Sequence, residues 1–289
     1  MPIQKVCVIG AGVMGHGIAQ LNAMRGIATL LIDEHEQALQ HAKDTIHKNL
    51  NISIAKGKFA AELLQKTLDL IDYKTNFDQI SDVDLLIEAV PEKMALKKLI
   101  FEAADALLPT HALLATNTSS LSVSEIAVCT KRPESVVGLH FFNPPPIMKL
   151  LEIVRTEQTS HTSVEMAIAY AAQLQKTHIL VNDSPGFATS RLGICLGNEA
   201  MRMLEQGVAN ASDIDQAMVL GYGHPVGPLQ LTDIVGLDVR LAISEYLFTK
   251  LQNEAFRPPE ILKRKVSQGF LGKKSGQGFY AWNQENFEE

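Results

Sequence analysis

The sequence predicts an α/β protein in which a parallel, doubly wound sheet is followed by an all-helical unit. Up to Asp183, short continuous apolar runs alternate with helical stretches, a pattern typical of a parallel sheet covered by helices. Beyond Asp183 the strand pattern stops, and amphipathic segments are separated by glycine and proline. The chain of 289 residues also exceeds the usual size of one domain, about 100 to 200 residues. We therefore predict two domains, residues 1–184 and 185–289.

The first strand, helix and strand are predicted between residues 5 and 33. KVCVIG is a continuous apolar run, GAGVMGHGIAQLNAMRG predicts a helix opened by glycines, and IATLLID predicts a second buried strand. A long helical stretch is expected from about 35 to 70. Alternation then resumes with helices around 93–107 and 161–175 and with the strands VDLLIEA, ALLATN, SVVGLHF, KLLEIVR and THILVND.

The second domain is expected to open with a helix from about Gly186 to Gln206, because Ser184 and Pro185 resemble the cap and first turn of a helix. Further helices are predicted around 212–220, 228–249 and 258–268. Apolar residues at positions 229, 231, 234, 235 and 237 make this domain a candidate surface for homodimer formation.

Composition limits the class of function. Hydrophobic residues make up 46% and charged residues 20%, as expected of a globular protein. The cysteines, Cys7, Cys129 and Cys195, match neither a disulfide framework nor a metal-ligand spacing, which favours a reducing compartment. We find neither a signal peptide nor an apolar run long enough to span a membrane, so we predict a cytoplasmic protein with no metal site and no membrane partner.

The net charge of -6 argues against binding to nucleic acid, since neutralising phosphates requires a basic field. A small ligand that carries phosphate needs only a local basic patch. The segment from His41 to Lys66 contains such a patch, although a solvated helix face is the more ordinary explanation of these charges. We call these residues the lysine patch: Lys43, Lys48, Lys56, Lys58 and Lys66.

A glycine motif follows the first predicted strand and opens the first predicted helix. In this context Gly10 permits the tight turn, Gly12 lets the backbone approach a pyrophosphate, and Gly15 lets the helix pack closely on the strand. Asp33 ends the second strand, where a carboxylate can bind the ribose hydroxyls and would repel a 2′-phosphate. We therefore predict a Rossmann-type domain that binds NAD rather than NADP. The alternatives are glycines that only shape a turn and an aspartate that caps the next helix.

Three polar side chains in GLHFFNPPPIMKLLE are candidates for catalysis. His140 lies at the end of one predicted strand, Asn143 in a proline-rich turn, and Glu152 on the next strand. Histidine suits the removal of a hydroxyl proton while hydride leaves the same carbon, because its pKa lies near the operating pH. A neighbouring carboxylate can fix the tautomer and stabilise the imidazolium. A satisfied structural histidine is the alternative.

The chain resembles the 3-hydroxyacyl-CoA dehydrogenase family along its whole length, and in size its short, monofunctional 3-hydroxybutyryl-CoA members. The resemblance rests on motifs that occur in the family's order: ATNTSSL, GLHFFNPPPIMKLLEIV, DSPGFATSR, GYGHPVGPLQLTDIVGLDV and LGKKSGQGFY. The last two lie outside the expected cofactor domain, so a generic dinucleotide-binding protein would not be expected to carry them. A non-catalytic dinucleotide-binding protein remains a rival interpretation.

The resemblance implies an NAD-dependent dehydrogenase of fatty acid metabolism that acts on an acyl-CoA. It implies that His140 is the general base with Glu152 as its partner, and that Ser119 and Asn143 hold the substrate oxygen. It also implies that Glu92 and Lys97 line the cofactor. The helical hairpin after the second strand contacts CoA in the family, so the lysine patch is expected there, with Lys56 as the candidate contact.

The sequence departs from the family at one position next to the expected substrate. The family usually has an asparagine in SPGFxxNR, whereas SPGFATSR has Ser190 there. Serine is shorter and can reach the reacting oxygen only through a water. This departure leaves open the same chemistry on an acyl group carried by an acyl carrier protein, or on a free hydroxy acid.

Overall fold

The computed structural model describes residues 2–78 and 80–282, which form two compact units, one up to Ser184 and one from Pro185. In the first unit the described residues form one eight-stranded sheet of order β3-β2-β1-β4-β5-β6-β7-β8. Its strands are β1 Lys5–Ile9, β2 Ala28–Ile32, β3 Ile71–Lys74, β4 Leu85–Glu88, β5 Leu113–Thr116, β6 Val136–Phe141, β7 Leu150–Arg155 and β8 Thr177–Asn182. Its helices are α1 Val13–Met24, α2 Glu36–Ala55, α3 Leu64–Leu68, α4 Met94–Leu107, α5 Val123–Ala127 and α6 His161–Gln173.

The central strands are buried along their length because helices cover both faces of a parallel sheet. β1 pairs with β2 on one side and with β4 on the other, both in parallel. The chain therefore runs outward in opposite directions from the middle of the sheet. In such folds a crevice forms where the strand order reverses, beyond the carboxyl ends of the strands. The predicted α/β class is confirmed.

One strand pair breaks the parallel pattern that the alternation predicted. β7 runs antiparallel to β6, and only residues 142–149 connect them. A parallel crossover needs about a dozen residues or more, usually with a helix, so this connection permits only the antiparallel arrangement. The resulting register places His140 directly opposite Glu152.

The segment after β2 also differs from the expected single helical stretch. α2 ends at Ala55, the chain turns at Gly57 with φ +65°, and a short 3-10 turn leads into α3. The four-residue strand β3 follows, which the sequence did not predict because Asp72 and Lys74 interrupt any apolar run. β3 forms the edge of the sheet beside β2.

The second unit is helical in the part that the structure describes. Its helices are α7 Thr189–Glu205, α8 Ala211–Tyr222, α9 Pro228–Val235, α10 Leu237–Leu251 and α11 Glu260–Ser267. The first of these was expected to start at about Gly186 with Ser184 as its cap, but it starts at Thr189, because Gly186 and Phe187 have positive φ values that a right-handed helix excludes. Residues 228–249 likewise form two helices, divided at Gly236, where φ is +104°. No helix in residues 2–78 or 80–282 is long and apolar enough to cross a membrane.

Two buried aspartates explain the last two sequence motifs. Asp215 accepts hydrogen bonds from the backbone N–H of Leu229 (2.8 Å) and from the Tyr280 hydroxyl (2.7 Å). Asp233 accepts from the backbone N–H of Tyr280 (2.9 Å) and from Nε1 of Trp282 (2.8 Å). Because an ionised carboxylate needs such donors when it is buried, these contacts fix the C-terminal segment onto α8 and α9. Within the second unit the motifs therefore serve its folding.

Candidate active site

The glycine turn between β1 and α1 has the geometry that close backbone packing requires. Gly10 has φ +101°, and a Cβ atom there would lie 2.7 Å from the carbonyl oxygen of Ala89. A Cβ atom at Gly15 would lie 1.7 Å from the carbonyl oxygen of Gly10. At Gly12, by contrast, a Cβ atom would have no described heavy atom within 4 Å. The turn thus leaves open space at the amino end of α1, where backbone N–H groups favour a phosphate.

Asp33 follows β2 and is tied to this turn. Its Oδ2 accepts a hydrogen bond from the backbone N–H of Ala11 at 2.8 Å, and its Oδ1 accepts from the backbone N–H of His35 at 3.0 Å. The residue that caps α2 is His35. Asp33 therefore links the end of β2 to the glycine turn, and a carboxylate has further lone pairs for hydroxyl donors.

A buried ion pair lies at the carboxyl end of β4. Nζ of Lys97, on α4, lies 2.7 Å from Oε1 of Glu88, and the two side chains are 1% and 0% exposed. Glu88 also accepts hydrogen bonds from the Thr116 hydroxyl at 2.7 Å and from the backbone N–H of Val90 at 2.8 Å. With these donors the buried carboxylate is satisfied, which is the condition for such a pair to be tolerated.

Lys97 also connects this pair to Glu92 and Ser119. Its Nζ lies 3.0 Å from Oε2 of Glu92. Oε1 of Glu92 accepts hydrogen bonds from the Thr118 hydroxyl (2.6 Å) and from the backbone N–H and hydroxyl of Ser119 (2.9 and 3.3 Å). Desolvation raises the pKa of Glu92, but Lys97 and these hydrogen bonds outweigh it, so the pKa lies below its ordinary value. Glu92 is therefore ionised at neutral pH.

His140 and Glu152 form a cross-strand pair. Nδ1 of His140 lies 2.8 Å from Oε2 of Glu152, whose side chain is 0% exposed. Directly opposed residues of an antiparallel pair have neighbouring side chains, so the register itself produces this contact. With Nδ1–H donating to the carboxylate, Nε2 is the nitrogen of the neutral ring that can accept a proton. The backbone N–H of Phe141 donates to Oδ1 of Asn117 at 3.0 Å, which ties the end of β6 to the end of β5.

The other predicted residues lie on a loop, after a helix and in the second unit. Asn143 is exposed on the loop 142–149, and its side chain makes no hydrogen bond to His140 or Glu152 among the described residues. Lys56 is exposed and follows directly after α2, and the rest of the lysine patch is exposed as well. Ser190 is the second residue of α7, in the second unit.

The sequence interpretation missed several residues that organise this edge of the sheet. Glu88 was seen only as part of an apolar strand, although a single charged residue at the end of such a strand signals a buried partner. Asn117 was seen only within a motif. Asp183, in DSPGF, accepts hydrogen bonds from the Ser122 hydroxyl at 2.9 Å and from the backbone N–H of Ser124 at 2.8 Å. It thereby fixes the start of α5 to the end of β8.

Comparison with known proteins gives a consistent result over the whole chain. The family model of the 3-hydroxyacyl-CoA dehydrogenase NAD-binding domain matches residues 5–184, and that of the C-terminal domain matches residues 186–282. A Bacillus subtilis protein described as a probable 3-hydroxybutyryl-CoA dehydrogenase is 39% identical, and the match covers 99% of each chain. The 3-hydroxyadipyl-CoA dehydrogenase of Escherichia coli is 40% identical over 98% of this chain and 60% of its own length. The solved structure of (S)-3-hydroxybutyryl-CoA dehydrogenase from Ralstonia eutropha is 37% identical, covers 98% of this chain and 100% of its own, and superimposes with a TM-score of 0.93.

The buried pair of Glu88 and Lys97 predicts a large loss of stability on Glu88→Gln. Removing one charge of a buried pair leaves the other uncompensated and costs about 3 to 5 kcal/mol, and we expect the lower end because Glu92 still contacts Lys97. The free energy of unfolding from urea denaturation measures this loss. The matched control is Asp82→Asn, whose partner Lys5 lies 2.8 Å away in an exposed pair, and there we expect a change within about 1 kcal/mol. Equal effects of the two substitutions would contradict the buried-pair account.

Proposed function

The chain belongs to the 3-hydroxyacyl-CoA dehydrogenase family, and from that premise we propose that its substrate is a short-chain thioester such as 3-hydroxybutyryl-CoA. As a member of this family it is an NAD-dependent oxidoreductase. The reaction converts the 3-hydroxyacyl thioester and NAD to the 3-oxoacyl thioester and NADH, and it runs in reverse as a reduction. The observation that supports the chemistry best is the 2.8 Å contact between His140 and Glu152.

The residues at the carboxyl edge of the sheet fit the cofactor that the family uses. When bound, NAD takes up the hydride from C3 of the substrate, or returns it in the reverse direction. The open space at Gly12 and the amino end of α1 would admit its pyrophosphate, and Asp33 would accept hydrogen bonds from its adenosine ribose. Glu92 and Lys97 would line its nicotinamide side.

His140 would handle the proton of the reaction. In the oxidative direction Nε2 takes the proton of the C3 hydroxyl as C3 gives up a hydride, so a C=O double bond replaces the O–H and C–H bonds. Glu152 then stabilises the imidazolium through the hydrogen bond at Nδ1. In the reductive direction the same proton returns to the oxygen. A fully buried carboxylate is well suited to this role because water does not screen its interaction with the ring.

Ser119 and Asn143 would orient the reacting oxygen. Ser119 is supported by Glu92, which accepts from both its backbone N–H and its hydroxyl. The contact between the Ser119 hydroxyl and Glu92, at 3.3 Å, is the longer of the two. Asn143 is exposed on the loop between the two catalytic strands, where a substrate can reach it.

The lysine patch supports CoA as the carrier of the acyl group. Its five lysines are exposed on and around the helices after β2, and a phosphate-bearing carrier is the ligand that such a patch would attract. CoA carries three phosphates, and Lys56 is our candidate contact. A carrier-protein thioester and a free hydroxy acid remain the alternative substrates. Relatives of 39% and 40% identity are named for different acyl groups, so similarity alone does not select the acyl chain.

We also propose that the enzyme is a cytoplasmic homodimer of fatty acid metabolism. The second unit exposes three apolar side chains on α9 and α10, Ile234, Val235 and Val239. Such a surface favours a second copy of the chain. Leu229 and Leu237, which the sequence assigned to the same surface, are instead fully buried in the core of the second unit.

His140→Ala tests the assigned base. We expect turnover of acetoacetyl-CoA with NADH to fall by about two to four orders of magnitude, the usual contribution of a positioned acid or base. NADH affinity, measured by fluorescence titration, should stay unchanged. The matched control is His161→Ala, because His161 is exposed at the start of α6. If both variants turn over at the wild-type rate while NADH binding is intact, His140 is not the base.

Ser190→Asn tests the substrate assignment. If the family's asparagine donates a hydrogen bond to the developing oxyanion, its absence costs about 2.7 to 4 kcal/mol of transition-state stabilisation. An enzyme that uses acetoacetyl-CoA should then gain at least about tenfold in rate when the asparagine is restored. Rates are measured with acetoacetyl-CoA, a carrier-bound thioester and a free hydroxy acid. A rate loss on acetoacetyl-CoA together with faster turnover of another substrate by the wild type would overturn the assignment.

A further inference from the structure

The loop 142–149 connects the two strands that carry His140 and Glu152, and it contains Asn143. Such a loop must be rigid for catalysis, because a displacement of about 1 Å can cost about a hundredfold in rate. Asn143 and Ile147 are exposed, whereas Pro145 is buried. Between its two ends, the loop therefore packs on the rest of the unit through Pro145.

One side of Pro145 packs on helix α1. Gly17 lies one turn beyond the start of that helix, and a Cβ atom there would lie 2.7 Å from Cδ and 2.9 Å from Cγ of Pro145. The proline ring thus rests against bare helix backbone. This explains a glycine in GAGVMGHG that lies outside the cofactor motif.

Lys176 contacts the other side of the loop. It lies just before β8, is 9% exposed, and donates hydrogen bonds from Nζ to the carbonyl oxygens of Pro145 (2.8 Å) and Met148. The Phe141 ring lies 6.0 Å from Nζ. No carboxylate among the described residues forms an ion pair with Lys176, which is unusual for a buried ammonium group. Its desolvation is compensated mainly by the two loop carbonyls.

We propose that Lys176 is a positioning residue for catalysis, which clamps the loop 142–149 against Gly17 and so holds Asn143 and the spacing of the catalytic strands. The expected effect on turnover rests on the proposed function, whereas the attachment of the loop rests only on the contacts of Lys176 and Pro145.

The clamp has a consequence for the pH dependence of activity. Burial, with a smaller contribution from Arg25, lowers the pKa of Lys176 from its ordinary value of 10.5 to about 8. Other titratable side chains on the adjoining segments are Lys149, His178, His16 on α1 and Tyr170 on α6. Above pH 8 the amine is neutral and its bonds to the carbonyls are weaker. Because the folded pKa is below the unfolded one, the contribution of Lys176 to stability rises with pH from about 8 to 10.5, so its deprotonation does not itself destabilise the fold.

The test uses the full-length enzyme with 3-hydroxybutyryl-CoA and NAD. In this direction His140 accepts the proton of the substrate, so a rise in pH does not remove the proposed base. Lys176→Met should lower kcat at pH 7 by at least about tenfold. The same substitution at exposed Lys149 is the control, with kcat within about twofold of the wild type. Wild-type kcat should fall above pH 8, and Lys176→Arg, which stays charged, should move that fall to higher pH.

Hydrogen exchange provides a readout that does not depend on the substrate. The backbone N–H groups of Ile147 and Met148 donate to the carbonyl oxygen of Pro144 within the loop. In Lys176→Met they should exchange at least about tenfold faster than in Lys149→Met. If exchange is faster in Lys176→Met but the wild-type enzyme does not turn over 3-hydroxybutyryl-CoA, the clamp is supported and the proposed substrate is rejected. Wild-type exchange in Lys176→Met, or an unchanged alkaline fall in Lys176→Arg, would overturn the clamp.

Discussion

The antiparallel pairing of β6 with β7 is the constraint on which the proposed catalytic pair depends. Eight residues connect the two strands, too few for the crossover that the rest of the sheet uses. The chain must therefore turn back directly, and the register that results sets His140 opposite Glu152. The Glu152 side chain has no exposed surface, and Nδ1 of His140 is a polar partner for its carboxylate at 2.8 Å. The register of the two strands thus produces the contact on which the proposed chemistry depends.

The neighbouring strands support the pair with a second buried group of charges. Lys97 joins Glu88, at the end of β4, to Glu92, and Glu92 holds the backbone of Ser119 after β5. The residues expected to contact the cofactor and those expected to contact the substrate thus share one hydrogen-bonded network. In such a network the members depend on one another, so we expect a change at Glu88 to affect the position of Ser119 through Lys97 and Glu92.

The sequence could predict those parts of the fold that depend on residues close together along the chain. The glycine turn was predicted because each glycine meets a steric demand within a few residues, and the α/β class followed from the alternation of apolar runs with helices. The pairing of His140 with Glu152 was expected from chemistry, while the antiparallel register that produces it was not foreseen. The start of α7 was placed too early because Ser184 and Pro185 resemble a helix start. The positive φ values at Gly186 and Phe187, which delay the helix, cannot be recognised from the sequence. Glu88 and Lys176 were missed because their burial depends on partners far along the chain.

The central claim is that Glu152 keeps His140 in the tautomer that accepts the substrate proton. The most direct test is the turnover number of Glu152→Gln, measured beside NADH affinity and thermal stability. The account predicts a loss of about 10³ to 10⁴ in kcat with NADH affinity unchanged, because an amide can stabilise the wrong tautomer and does not stabilise the imidazolium. A folded Glu152→Gln enzyme with kcat within about tenfold of the wild type would contradict it.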